Sequence, residues 1–230
     1  MDPLEYNTSP TDQKISSMLK FLHTNKMNEF TRVYHEIYTN PPDKYSVYKD
    51  FQQIPGLWYV PNYLSETEIN LINQQLTQTN FVPVISFNPH SRRVAHFGYK
   101  YAYDRSGTIL ADPIPTILAD LVSTSRINLI IGQNLITEPF DQLIINEYKP
   151  DQQIAPHTDH TTQFGDVIAC LTVGQSVPLI FSRGSLKKKI NANIGSLYIM
   201  TSDARYKWKH SLRNNSDNVR YSLTYRNIKT

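Results

Sequence analysis

Residues Arg220-Tyr221-Ser222-Leu223-Thr224-Tyr225-Arg226 alternate without a break between two kinds of side chain. A period of two is that of a β-strand, so Arg220, Ser222, Thr224 and Arg226 share one face and Tyr221, Leu223 and Tyr225 the other. The aromatic and aliphatic face is expected to pack against the body of the protein. The opposite face then holds two guanidiniums with hydroxyls between them, and burying such charge requires an anionic partner. Six steps of about 3.3 Å put the two Arg Cα atoms roughly 20 Å apart. Side chains reaching toward each other across that span leave a gap suited to a small dicarboxylate, gripped at both ends by forked donors. The alternative is an exposed edge strand with solvated arginines.

Upstream lies His157-Thr158-Asp159, followed at a distance by His210. On a strand, residues i and i+2 point the same way, so His157 and Asp159 reach one ion together. A third ligand from another strand completes one face of an octahedron and leaves the other positions open, the donor set of a non-haem iron(II) oxygenase. A His-x-Asp pair in isolation is a common accident of polar loops. Before it, Leu143-Ile144-Ile145-Asn146-Glu147-Tyr148 is a short apolar run closed by a turn at Lys149-Pro150-Asp151. Asn146 and Tyr148 share a strand face and offer an amide and a phenol to a carboxylate.

The order Asn-x-Tyr, His-x-Asp, distal His, Arg-x-x-x-Thr-x-Arg resembles the AlkB family of iron(II)- and 2-oxoglutarate-dependent dioxygenases, most strongly from Leu143 to Ile228. A weaker likeness extends back to about Ile54. There Pro55-Gly56-Leu57-Trp58-Tyr59-Val60 and Leu64-Ser65-Glu66-Thr67-Glu68 look like the strand and capped helix that open these domains. Ser65 and Glu68 read independently as a capping box. The resemblance implies that His157, Asp159 and His210 bind Fe(II). It implies that Arg220, with Tyr148, holds the distal carboxylate of 2-oxoglutarate, and that Arg226, with Asn146, sits nearer the carboxylate beside the metal; which arginine takes which end stays open. Ser222 stands where the bacterial form of the pattern has Asn, which removes one amide contact. Ser202-Asp203-Ala204-Arg205 resembles the family segment that places an arginine near nucleic acid, making Arg205 a candidate contact against the alternative of a solvated loop charge. The implied chemistry is decarboxylation of 2-oxoglutarate coupled to hydroxylation of a C–H bond, with dioxygen as co-substrate.

Ser91-Arg92-Arg93-Val94-Ala95-His96-Phe97-Gly98-Tyr99-Lys100-Tyr101-Ala102-Tyr103 mixes basic and aromatic residues. At strand spacing Phe97, Tyr99, Tyr101 and Tyr103 line one face. Arg92 and Arg93 are candidates to meet phosphates, and Tyr99 to stack on a base, worth about 1–3 kcal/mol per base; against this, most of these rings are expected to pack into the core. The stretch also resembles the branch of AlkB relatives that hydroxylates modified wobble uridines in tRNA, which favours RNA over DNA.

A chain of 230 residues, 40% of them hydrophobic, has enough apolar material for one sizeable core. The formal net charge of +3 permits nucleic-acid binding without demanding it; Lys187-Lys188-Lys189 reads as a solvated turn more readily than as a phosphate clamp. Cys170 is the single cysteine, which leaves no intrachain disulfide or cysteine zinc site, and its apolar neighbours mark it as a core residue. With no signal peptide and no run approaching about 20 apolar residues, the expectation is an intracellular protein, cytoplasmic or nuclear, without a membrane partner.

Residues 1–50 read as a helical extension, with stripes at Ile15, Met18, Leu19 and Leu22 and at Phe30, Val33, Tyr34, Ile37 and Tyr38. Residues 51–230 read as the dioxygenase domain with a catalytic core at 143–228. Helices are expected at 62–80 and 112–124, and short strands from 143 onward with turns at Pro150, Gly165, Gly174, Gly184 and Gly195. The fold class is α+β, helices supporting a double-stranded β-helix or jelly roll that holds iron between its sheets. The sequence does not encode the oligomeric state, and a monomer is compatible with it. Two further readings use the same residues: an oxygenase of proteins or small molecules, and a non-catalytic nucleic-acid-binding module.

Overall fold

Arg220–Arg226 is a β-strand in the computed structural model of the chain, which describes residues 45–86, 88, 90–101 and 107–229. The apolar stripes at 15–22 and 30–38, together with Tyr103, lie outside the described residues. The described residues from 45 onward form one compact unit.

The strands in chain order are β1 (Leu57–Val60), β2 (Val82–Pro83), β3 (Arg93–Phe97), β4 (Tyr99–Tyr101), β5 (Thr108–Leu110), β6 (Gln142–Tyr148), β7 (Gln153–His157), β8 (Ile168–Val173), β9 (Val177–Arg183), β10 (Leu186–Ala192), β11 (Leu197–Met200), β12 (Lys209–Arg213) and β13 (Arg220–Arg226). The helices are α1 (Glu66–Thr77), α2 (Thr116–Asp120), α3 (Thr124–Ile131) and α4 (Ser202–Tyr206). A seven-stranded sheet runs in the order β1-β11-β8-β13-β6-β3-β2 and a four-stranded sheet in the order β10-β9-β12-β7. Every pairing is antiparallel.

β13 is central, not an edge: β8 and β6 flank it, and both its faces are covered. Alternation divides the large sheet between two cores. Leu143, Ile145, Ala169, Leu171, Leu223 and Tyr225 face a layer formed by Ile72 and Leu76 of α1, Leu118 of α2 and Ile127 and Ile130 of α3. Tyr148, Ile168, Cys170, Tyr198 and Met200 point the other way and meet Leu179, Phe181 and Leu212 of the small sheet. Each fully buried Leu or Ile contributes roughly 1.5–3 kcal/mol. Two facing antiparallel sheets with helices outside are the jelly roll expected from the sequence.

The capping box forms: the Glu68 amide donates to Ser65 Oγ at 3.3 Å and the Ser65 amide to Glu68 Oε2 at 2.8 Å. The helix it starts is shorter than 62–80. The helix expected at 112–124 is two helices, because the chain turns at Leu121–Ser123 and restarts as α3, whose Ile127 and Ile130 complete the outer core. Gly132, at φ 75°, ends it. The lysine triplet is not a turn; it lies within β10.

Candidate functional site

The inner face of β13 begins with Arg220, whose Cα lies opposite Tyr148. Ser222 lies opposite Asn146 and Arg226 opposite Gln142, so the register alone puts the expected residues of β6 and β13 side by side. On the small sheet His210 of β12 pairs with His157, the last residue of β7. Their rings sit 4.3 Å apart, centroid to centroid. Asp159 lies beyond the end of β7, in irregular backbone, so strand alternation does not aim its side chain. Two arginines do. Arg226 pairs with Oδ1 of the Asp159 carboxylate, and Arg205 holds the backbone of the loop. One ligand atom from each of His157, Asp159 and His210 lies within 4.8 Å of the others.

These three residues fit a divalent cation. His157 Nδ1 lies 2.9 Å from the Ala155 carbonyl; donating there leaves Nε2 with a free lone pair. Burial, then the neighbouring His157, lowers the pKa of His210 to about 3 despite Asp159, so its ring is neutral. Burial opposes ionisation of Asp159, but neighbouring positive charge, Arg226 foremost, outweighs it and holds the carboxyl below the usual range. Asp159 Oδ2 is buried without a hydrogen-bond partner, 3.5 Å from His210 Nε2. Two imidazoles and one ionised carboxylate converging in this way form the donor set that suits iron(II).

Beside them is a cavity of about 360 Å³, lined by Asn146, Tyr148, Ser222 and Arg226 as well as the triad. Arg220 is fully buried behind it. Its guanidinium donates to Ser222 Oγ at 2.7 Å and to Thr172 Oγ1 at 3.3 Å and lies 5.8 Å from the Tyr148 ring centre. Its Nε has no partner, and among the described residues no carboxylate pairs with it. A buried cation whose hydrogen-bond partners among the described residues are neutral hydroxyls suits an anion. The two arginines therefore differ: Arg226 is tied to Asp159 at the metal end, and Arg220 waits at the other.

Thr172 was not singled out from the sequence. The available signal was one hydroxyl inside the apolar run Val167-Ile168-Ala169-Cys170-Leu171-Thr172-Val173. Ser222 departs from the bacterial pattern, yet its hydroxyl is an acceptor for Arg220. Cys170 is fully buried, as expected.

The substrate-side expectations divide. Arg92 lines the cavity and donates from Nε to Asn146 Oδ1 at 3.0 Å. Arg93 points away from it: it grips Glu147 with two bonds of 2.7 and 2.8 Å and lies over the Phe81 ring. The continuous aromatic strand is broken at Gly98, at φ 71°, where an added Cβ would stand 1.8 Å from the Asp141 carbonyl oxygen. Tyr99 is half-buried in β4 and not among the cavity-lining residues, whereas Tyr101 lines the cavity beside Phe164. The expectation for Arg205 does not fit its placement. It is 1% exposed and donates to the carbonyls of Asp159, His160, Phe164 and Gly165. Its sequence neighbourhood resembles a surface contact, but the positive φ of Ser202 and the short α4 turn it inward under the Asp159 loop.

A family model, the 2OG-Fe(II) oxygenase superfamily, matches residues 56–226. The chain is similar to the tRNA (carboxymethyluridine(34)-5-O)-methyltransferase alkbh8 of Xenopus tropicalis, 30% identical over 160 residues, which are 69% of this chain and 25% of that protein. It thus spans about a quarter of that relative's length. Uncharacterized protein L905 of Acanthamoeba polyphaga mimivirus is 27% identical over 195 residues, 78% of this chain and 88% of the relative. Among solved structures, OsALKBH1 aligns with a TM-score of 0.61 at 12% identity, covering 75% of this chain and 97% of that one. A Pseudomonas putida prolyl-4-hydroxylase aligns at 0.53 and 13% identity, covering 76% and 93%. At these identities the structural likeness speaks for the fold.

Proposed function

Because this chain belongs to the 2OG-Fe(II) oxygenase superfamily, as an AlkB-like dioxygenase that uses Fe(II) and 2-oxoglutarate, we propose that it oxidises a modified or alkylated base in nucleic acid, RNA in preference to DNA. The observation that carries this reading is the match over 69% of the chain to a relative whose name places it at tRNA uridine 34. Arg92 and Tyr101 at the cavity support it, a cation and a ring where a nucleotide would enter.

In this reading His157, Asp159 and His210 hold the iron. Arg226 and Asn146 meet the carboxylate of 2-oxoglutarate nearer the metal, and Arg220, with Tyr148 and the Ser222 and Thr172 hydroxyls, meets the distal one. The pairing of Arg226 with Asp159 supports that order, as does the lack of an anionic partner on Arg220. When bound, iron and co-substrate supply oxidative decarboxylation: dioxygen, 2-oxoglutarate and a C–H bond become succinate, carbon dioxide and an alcohol. The chain's own work is orientation and shielding. Arg226 keeps Asp159 ionised, Arg205 holds the loop that carries it, and the walls of Tyr198, Met200, Leu179 and Leu212 exclude water.

The test is mass spectrometry of total nucleosides from tRNA and DNA before and after treatment with enzyme, iron and 2-oxoglutarate. A hydroxylated or demethylated nucleoside in tRNA is expected, lost with Asp159→Ala. Change confined to DNA, or oxidation of peptides alone, would overturn the proposal; succinate formed by Asp159→Ala would sink the metal assignment.

A further inference from the structure

The outer face of the small sheet carries the lysines that the sequence reading set aside. Strand alternation puts Phe181, Leu179, His210 and Leu212 inward, so Lys187 and Lys189 of β10, Ser182 of β9 and Lys209 of β12 point outward. Lys187 and Lys209 are both registered on Ser182, in one row across three strands. With strands about 4.8 Å apart and residues about 3.3 Å apart, the three lysine Cα atoms lie within roughly 10 Å of Lys187. All three are exposed, and among the described residues none has an acidic partner. Nearby, Arg183 and Lys207 share the carboxylate of Asp203 at 3.1 and 2.8 Å, and Arg213, outward on β12 with Lys209, pairs with Asp151 at 3.1 Å. The three lysines are thus the cations of this face that no acid among the described residues neutralises, a local surplus of three.

We infer that this face grips the sugar-phosphate backbone of the RNA whose modified base occupies the cavity; the inference rests on the nucleic-acid reading above. Three facts select the ligand. Unpaired ammonium groups held this close on a rigid sheet favour a polyanion over any single carboxylate. The residues between them are Pro178, Ile180, Ser182 and Ser211, so among the described residues the face offers no aromatic ring on which a base can stack and suits phosphates. Lys209 immediately precedes His210, so the face is the outer side of the strand whose inner side lines the cavity, and an RNA long enough to round the sheet meets both. The grip is indifferent to sequence and leaves base choice to the cavity.

The test compares wild type with K187A/K189A/K209A on a tRNA substrate across 50–200 mM salt, with the three Lys→Arg substitutions as the charge-preserving control. For three phosphate contacts to single-stranded RNA, the slope of log affinity against log salt should shrink by about two. At low salt KM for tRNA should rise about tenfold with kcat unchanged, and the arginine variant should behave as wild type. Thermal melting of the alanine variant in the presence of iron and 2-oxoglutarate establishes that it is folded. Equal slopes in wild type and alanine variant, with tRNA still oxidised, overturn the inference and leave the proposed function standing. A fall in kcat without a change in KM also overturns it, as does loss of binding to anionic vesicles with tRNA binding intact. If wild type forms succinate yet oxidises no nucleic acid, the underlying reading has failed, and this inference with it.

Discussion

β13 and β3 flank the same strand, β6, one on each side, and they behave differently. β13 runs unbroken for seven residues, six of them buried, and pairs with β6 at every position. β3 pairs for five residues, and the ladder stops at Gly98, where the chain leaves the sheet to form β4 with β5. Proposed co-substrate contacts lie on the first side and proposed substrate contacts on the second. The lesson is about how side chains are aimed. In a doubly buried central strand, alternation leaves one choice, since a one-residue slip would send Arg220 and Arg226 into the apolar core under the helices. At the sheet margin a turn decides: the ladder ends at Gly98, so Tyr99 does not continue the face that Phe97 begins.

The sharpest way to break this contrast is Arg220→Met. A side chain of similar reach without charge should raise KM for 2-oxoglutarate at least about a hundredfold, the scale of losing one partner of a buried charge pair. It should leave the ligand-free protein no less stable than wild type, because a cation buried without an anion is itself a cost. Succinate formation against 2-oxoglutarate concentration and denaturant melts read the two effects. Near-normal KM would mean that Arg220 is structural.

A smaller effect separates the two adjacent arginines. Arg92→Ala should raise KM for nucleic acid several-fold, whereas Arg93→Gln should leave it unchanged and cost about 1 kcal/mol of stability through Glu147. A larger substrate effect from Arg93→Gln would reverse the assignment at the margin.

The smallest effect concerns His96, on β3. Burial, then Lys100 and Arg226, lowers its pKa to about 4 from 6.5. The folded protein therefore binds this proton less readily than the unfolded chain. The contribution of neutral His96 to stability is complete above about pH 6.5 and is lost as pH falls toward about 4. Denaturant midpoints of metal-free protein between pH 7 and 4.5 should fall less steeply in His96→Gln than in wild type; parallel curves would show that His96 does not contribute.

Several elements were legible from the chain alone for physical reasons. The capping box at Ser65 and Glu68 is local chemistry, and the faces of β6 and β13 follow from a period of two. The expected helix at 112–124 failed because apolar spacing does not reveal that the chain turns at Leu121–Ser123 and starts again. Lys187-Lys188-Lys189 failed as a turn because charge is compatible with a strand whose outer face is wet.

The sequence by itself determined what this protein's centre is made of: the identity and order of Asn146, Tyr148, His157, Asp159, His210, Arg220 and Arg226, and the faces they share within each strand. Tertiary structure decided what no spacing encodes. Strand register put His157 beside His210. Arg226 and Arg205, distant in sequence, hold Asp159 where alternation had ended. Thr172 and Ser222 meet Arg220, which has no acidic partner among the described residues, and three lysines from two strands share one face. Periodicity acts within a segment, while charge pairing and desolvation act between segments, and only the folded chain brings those together.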